Sequence, residues 1–155
     1  MEQTVSRDIP VKESALQINP VIFDELTFKR LSNKHFGESK VQLKIGQIIQ
    51  KLEDSHYRVI IKVEAVQEEE FSATVQISGY CTIDENDPAK DQLLKRNTLA
   101  ILFPYIRSEL TLLTAQPETD PIVWPVMNIQ AMMDEATEIN PDDAKESTDQ
   151  TQKNQ

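Results

Sequence analysis

The sequence has very few of the residues from which most catalytic and metal sites are built. Its 155 residues include one cysteine, Cys81, two histidines and three glycines. A single thiol excludes an intrachain disulfide, and these widely separated histidines and cysteine do not have the spacing of a zinc site. Three scattered glycines do not form a phosphate-binding loop. We therefore expect a protein that is not an enzyme and that needs no metal and no cofactor.

Long apolar runs and clustered cations are also missing. No apolar stretch approaches the ~18 residues of a membrane-spanning helix, and the N-terminal segment lacks the apolar core of a signal peptide. The chain carries 26 acidic and 16 basic residues, a net charge of −10, which opposes binding to nucleic-acid phosphates or to anionic lipid. We expect a cytoplasmic protein that neither binds nucleic acid nor inserts into a membrane.

The negative charge is concentrated at the end of the chain. Residues 134–155 hold seven acids, two bases and one large apolar residue, Ile139. Such a segment buries too little apolar surface to offset the entropy lost on ordering. We predict a flexible segment at 1–19, one domain at 20–135 and a disordered acidic tail at 136–155. The tail either keeps the protein soluble or attracts a basic or metal-bearing partner.

Alternating apolar and polar residues predict four strands, because the side chains of a strand point to its two faces in turn. The short polar stretch Gln67–Glu70 predicts that the last two strands pair as an antiparallel hairpin. The predicted strands are residues 21–28, 41–45, 57–65 and 71–81.

The hydrophobic period then changes from two to that of a helix. Asn86, Asp87 and Pro88 form a helix-start signal, and the apolar residues that follow recur at spacings of four and three. Pro104 lies in the middle of this helix, where it removes a backbone donor. A second, short helix is predicted from Asn128. The expected fold is α+β, a four-stranded antiparallel sheet followed by a long and a short helix packed on one face.

Between the two predicted helices lies an extended segment that is unusually apolar for a loop. It runs from Ile122 to Met127 and contains Trp124, with Pro121 and Pro125 keeping the chain extended. Loops are normally polar and exposed. We therefore expect this loop to be buried in an oligomer or to form a binding surface.

The pattern of these two helices resembles that of SecB, a bacterial family of cytoplasmic chaperones. The matching motifs are Leu102–Tyr105 (LFPY) with Arg107 after it, and the segment Pro125–Ile129 (PVMNI) about twenty residues further on. The resemblance implies an ATP-independent chaperone that binds unfolded polypeptides in extended form. It also implies a homotetramer, a dimer of dimers, in which a kink at Pro104 lets the long helix contact its own sheet and a neighbouring subunit.

The resemblance assigns roles to individual residues, although each one taken singly is also compatible with an ordinary core position. The predicted client-binding residues are Ile122, Val123, Trp124, Val126, Met127, Ile129, Met132, Met133, Phe23 and Phe36. The predicted oligomer interface consists of Leu99, Phe103, Ile106, Leu110 and Leu113.

The sequence departs from the family at the surface that binds the export motor SecA. Glu25 keeps one acid of that surface, while Lys29 and Thr74 replace two others. Two functions are therefore predicted: a general chaperone that keeps preproteins competent for export, or a chaperone for one client, such as the antitoxin of a toxin–antitoxin system. A third interpretation is an assembly protein that uses the Trp124 loop only to oligomerise.

Overall fold

The computed structural model describes residues 15–33 and 40–124, which form a four-stranded antiparallel sheet followed by a long helical run. The sheet order is β1-β4-β3-β2. The predicted α+β fold is therefore confirmed, while the second helix expected from Asn128 and the tail 136–155 lie outside the described residues. The elements are β1 Leu16–Arg30, β2 Val41–Glu53, β3 His56–Gln67, β4 Phe71–Ile83, α1 Lys90–Gln92, a π-helical turn Leu93–Asn97, and α2 Thr98–Thr114.

Strands β3 and β4 are the centre of the sheet, and every second side chain on them is buried. Their register places Val59 opposite Gly79, Ile61 opposite Ile77 and Val63 opposite Val75, so these side chains form one apolar face. The hairpin between the strands is the predicted one. The Glu70 N–H donates to the Gln67 carbonyl at 3.0 Å.

The two edge strands differ in regularity. β1 has two register shifts, between Ile18 and Val21 and between Phe23 and Glu25, and it contains Pro20, which has no N–H. β2 pairs with β3 without interruption from Val41 to Lys51. Because β1 begins at Leu16, which is buried in the core, the folded part starts earlier than the predicted boundary at residue 20.

Helix α2 crosses the sheet and buries its whole apolar stripe within the same chain. Leu99, Phe103, Ile106 and Leu110 are 0–2% exposed, and Leu113 is partly buried against the same core. The expectation that this stripe divides at Pro104 between two surfaces is wrong, since residues on both sides of the proline contact one core. Pro104 itself lies on the exposed side of the helix, where water can hydrogen-bond the carbonyl that proline leaves without a donor.

Close approach between helix and sheet requires a glycine on β4. A Cβ atom at Gly79 would lie 3.1 Å from Ile18 Cγ2 and 3.1 Å from Leu102 Cδ1. These distances are shorter than ordinary van der Waals contacts. Gly79 therefore lets Leu102 of the helix rest directly on the strand.

A carboxylate ties the start of the helical run to the turn between β2 and β3. Glu85 accepts hydrogen bonds from the Ser55 N–H at 2.7 Å, the Tyr57 hydroxyl at 2.8 Å and Lys90 Nζ at 3.0 Å, and Lys51 Nζ lies 3.4 Å away. The Ser55 hydrogen bond, followed by those from Lys90 and Tyr57, lowers the pKa of Glu85 from its ordinary 4.5 to about 2.

This pKa predicts how the stability depends on pH. Because the folded-state pKa lies below the ordinary value, the contribution of Glu85 is fully present above pH 4.5 and is lost as the pH falls towards 2. We expect Glu85→Gln to lower the urea midpoint at pH 7, and the difference from wild type to shrink between pH 5 and pH 2. Glu53→Gln, at an exposed position of β2, is the control. A pH-independent difference would contradict the ionic role.

Candidate functional site

The structure describes four of the ten predicted client-binding residues, and it does not bring them together on one exposed groove. Phe23 is partly buried on β1, opposite Ile77. The other three, Ile122, Val123 and Trp124, follow α2 in the chain. The remaining six lie outside the described residues: Phe36, Val126, Met127, Ile129, Met132 and Met133.

After α2 the chain turns back along the helix, and we call residues 115–124 the strap. Trp124 is 5% exposed, and its ring meets that of Phe103 edge-on, with centroids 4.9 Å apart and an interplanar angle of 77°. Ile122 is partly buried and Val123 is 75% exposed. The ring of Trp124 is therefore part of the core of its own chain, and its role in client binding stays a prediction.

The strap and strand β2 lie on opposite flanks of α2. Gln47 of β2 donates to the Thr98 hydroxyl at 3.4 Å and to the Lys95 carbonyl at 2.9 Å, so Thr98 marks the flank that faces β2. At ~100° per residue, Phe103 lies ~140° further around the helix, on the flank that the strap covers.

Strand β2 carries an apolar row that the helix does not fully cover. On the face that bears the helix, Val41, Leu43 and Ile45 are partly buried, and Ile49 is 40% exposed. β2 pairs with β3 alone among the described strands, so its other side presents backbone N–H and C=O groups. We call this row, together with the open side of the strand, the β2 edge.

A second apolar surface runs along the exposed side of α2. Ile101, Tyr105 and Leu112 are exposed, and we call them the helix stripe. Tyr105 and Leu112 follow Thr98 at intervals of seven residues, which places them on the same flank with a drift of ~20° per interval. In the sequence this stripe gives no separate signal, because the stronger stripe beside it, from Leu99 to Leu110, accounts for the helical spacing.

Glu25, the residue assigned to SecA binding, is partly exposed on the sheet face away from α2. It lies opposite Gln76 on β4, and Thr27 lies opposite Thr74. On the same face Asp24 binds Arg58 at 3.2 Å, which offsets its charge. The structure thus places Glu25 on a mixed surface and not on a strongly acidic one.

No group of histidine, cysteine and carboxylate side chains in residues 15–33 and 40–124 is arranged to hold a metal ion. Cys81 is buried as expected, and burial raises the pKa of its thiol to about 11, so it is protonated at neutral pH. Among the helices of this part of the chain, none has the length and apolarity needed to cross a membrane.

The burial of Trp124 predicts a structural role that can be measured. We expect Trp124→Ala to lower the free energy of unfolding by ~3 kcal/mol, because it removes a large ring from the core. Val123→Ala, at the exposed neighbour, is the matched control and should change it by less than ~0.5 kcal/mol. Denaturant unfolding measures both. Equal stability of the two variants would show that the ring is not packed in the core.

Comparisons with known proteins show what this chain is similar to. No family model matches the sequence. The uncharacterized protein MJ0357 of Methanocaldococcus jannaschii is 30% identical over 95 residues, 57% of this chain and 61% of the relative. The chain thus spans less than two thirds of the length of that relative.

Two solved structures are similar at low identity. The structure of Mycobacterium tuberculosis Rv1957, a SecB-like chaperone in complex with a ChAD peptide from the Rv1956 HigA1 antitoxin, matches with a TM-score of 0.60 and 12% identity, covering 73% of this chain and 88% of that one. A protein of unknown function from Streptococcus agalactiae matches with a TM-score of 0.42 and 10% identity, over 72% and 97% of the two chains. The chain shares the α+β fold of a SecB-like chaperone.

Proposed function

We propose that this protein is an ATP-independent chaperone that binds an unfolded polypeptide in extended form. The observation that carries the proposal is the β2 edge, where an open strand lies beside an apolar row. An incoming extended segment would pair its backbone with β2 and place alternate apolar side chains beside Leu43, Ile45 and Ile49. Backbone pairing contributes affinity for an extended segment, and the apolar row contributes selection among side chains.

Of the two predicted chaperone functions, we favour a chaperone that serves one dedicated client. The similar Rv1957 chaperone was solved with a peptide from an antitoxin bound to it. A general export chaperone is the second candidate. It would need a surface for SecA, and Glu25 supplies one acid of that surface while Lys29 and Thr74 stand where two others are expected.

We also propose a homotetramer, with the long helices packed between two dimers. The residues available for that contact are those of the helix stripe, Ile101, Tyr105 and Leu112, because Leu99, Phe103, Ile106 and Leu110 are already covered by their own chain.

A charge placed in the apolar row of the β2 edge tests the proposal. We expect Ile49→Lys to weaken binding of an unfolded polypeptide by about tenfold, since it replaces ~1.5 kcal/mol or more of apolar burial by a charge. Fluorescence anisotropy of labelled, reduced and carboxymethylated ribonuclease A, without ATP, measures this affinity.

Ile22→Lys provides the matched control for that experiment. Ile22 is 45% exposed, close to the 40% of Ile49, but it lies on the edge strand β1 and points to the face away from α2. We expect this variant to bind as wild type does, and light scattering to report the same assembly for all three proteins. No effect of either substitution, or an equal loss in both, would count against the β2 edge.

A further inference from the structure

The end of the strap has the alternation of a strand, although it is not part of a sheet. Ile122 faces the core, Val123 faces outwards and Trp124 faces the core again. If an alternating segment slips by one residue, the side chains that faced the core turn outwards and those that faced outwards turn to the core. Something must therefore determine which of these residues is presented to the outside.

Two threonines of α2 bind both main-chain groups of Ile122. The Thr111 hydroxyl donates to the Ile122 carbonyl at 2.7 Å, and the Ile122 N–H donates to Thr114 Oγ1 at 2.8 Å. Thr114 is fully buried, and its own hydroxyl donates to the Leu110 carbonyl at 2.8 Å. The Thr111 hydroxyl also lies 3.1 Å from the Arg107 carbonyl, farther than the Ile122 carbonyl, and we call the two hydroxyls the threonine clamp.

The clamp recognises backbone and not side chain. It needs a backbone carbonyl and a backbone N–H, and Ile122 has both. Pro121 lacks the N–H, so a slip that brought Pro121 to this point would lose the bond to Thr114. Further back, Arg30 Nη1 donates to the Thr119 hydroxyl at 2.6 Å, which ties the strap to β1. Because Thr119 is held by Arg30 and Ile122 is held by the threonine clamp, the chain between them has little freedom to slip.

We propose that Thr111 and Thr114 are positioning residues that make Val123, and not Trp124, the strap residue that contacts a client. The ligand is an extended apolar segment of an unfolded polypeptide, and this inference rests on the proposed function. Val123 lies on the flank of α2 opposite the β2 edge. A long client that reaches both contacts gains affinity from their effective concentration.

Two pairs of substitutions, one that removes the hydroxyls and one that keeps them, test the clamp. In the full chain, Thr111→Val with Thr114→Val removes both hydroxyls at nearly constant volume, whereas Thr111→Ser with Thr114→Ser keeps them. In the valine pair we expect the Ile122 amide to exchange with solvent on the order of tenfold faster. The emission of Trp124, the single tryptophan of the chain, should shift to longer wavelength. The serine pair should retain both properties.

Binding of carboxymethylated ribonuclease A, which contains no tryptophan, tests the role in client contact. We expect the valine pair to lose affinity severalfold, and Val123→Asp to lose as much without altering the Trp124 emission. The serine pair should bind as wild type does. If the valine pair does not fold, Thr111→Val alone serves as the test, because Thr111 is only partly buried.

The outcomes separate the clamp from the proposed function. An Ile122 amide that exchanges equally in the valine pair and in wild type would overturn the clamp. Faster exchange with undiminished affinity in both the valine pair and Val123→Asp would make the clamp purely structural and overturn its role in client contact. A wild-type protein that does not bind the unfolded probe would refute the proposed function, and the client role of Val123 with it, while Ile122 exchange would still decide the clamp.

Discussion

The burial of one helix on the centre of the sheet is the interaction on which the rest of this structure depends. The apolar face of β3 and β4 and the stripe of α2 from Leu99 to Leu110 exclude water from each other, and Gly79 allows the close contact at Leu102. An α-helix with its side chains is ~10–12 Å wide, whereas four strands spaced ~4.8 Å apart form a wider surface. A single helix therefore leaves part of the sheet to be covered by other segments.

The sheet is covered to different extents on the two flanks of α2. On one flank the strap supplies Ile122 and Trp124, and hydroxyl groups of the helix satisfy the backbone of the strap. On the other flank Gln47 of β2 reaches the helix, while Ile49 and the open side of β2 stay partly exposed. Among residues 15–33 and 40–124, the first flank is a packed core and the second is only partly covered. An extended polypeptide has the backbone groups and the alternating side chains that the second flank lacks.

Much of the fold was predictable from local pattern, and the errors have local causes. β2 was predicted only to Ile45 because Gly46 and Gln47 interrupt its alternation, yet the strand continues to Glu53. β1 was predicted only from Val21 because Asn19 and Pro20 break its pattern, and two bulges restore the apolar face beyond them. The helical run begins at Lys90, two residues after the start signal at Asn86–Pro88, and Asp87 accepts from the Ala89 N–H at 2.8 Å, the hydrogen bond that a cap at this position makes.

The sequence by itself determined the order of strands and helix, the hairpin between β3 and β4, and the apolar stripe of α2, because these follow from side-chain period and turn chemistry within a few residues. Only the tertiary structure decided which apolar residues face water. Trp124 and Val123 are neighbours in the chain, and both are apolar. Phe103 covers Trp124, whereas no described residue covers Val123 as fully. That difference depends on contacts between residues far apart in sequence, which no local pattern records.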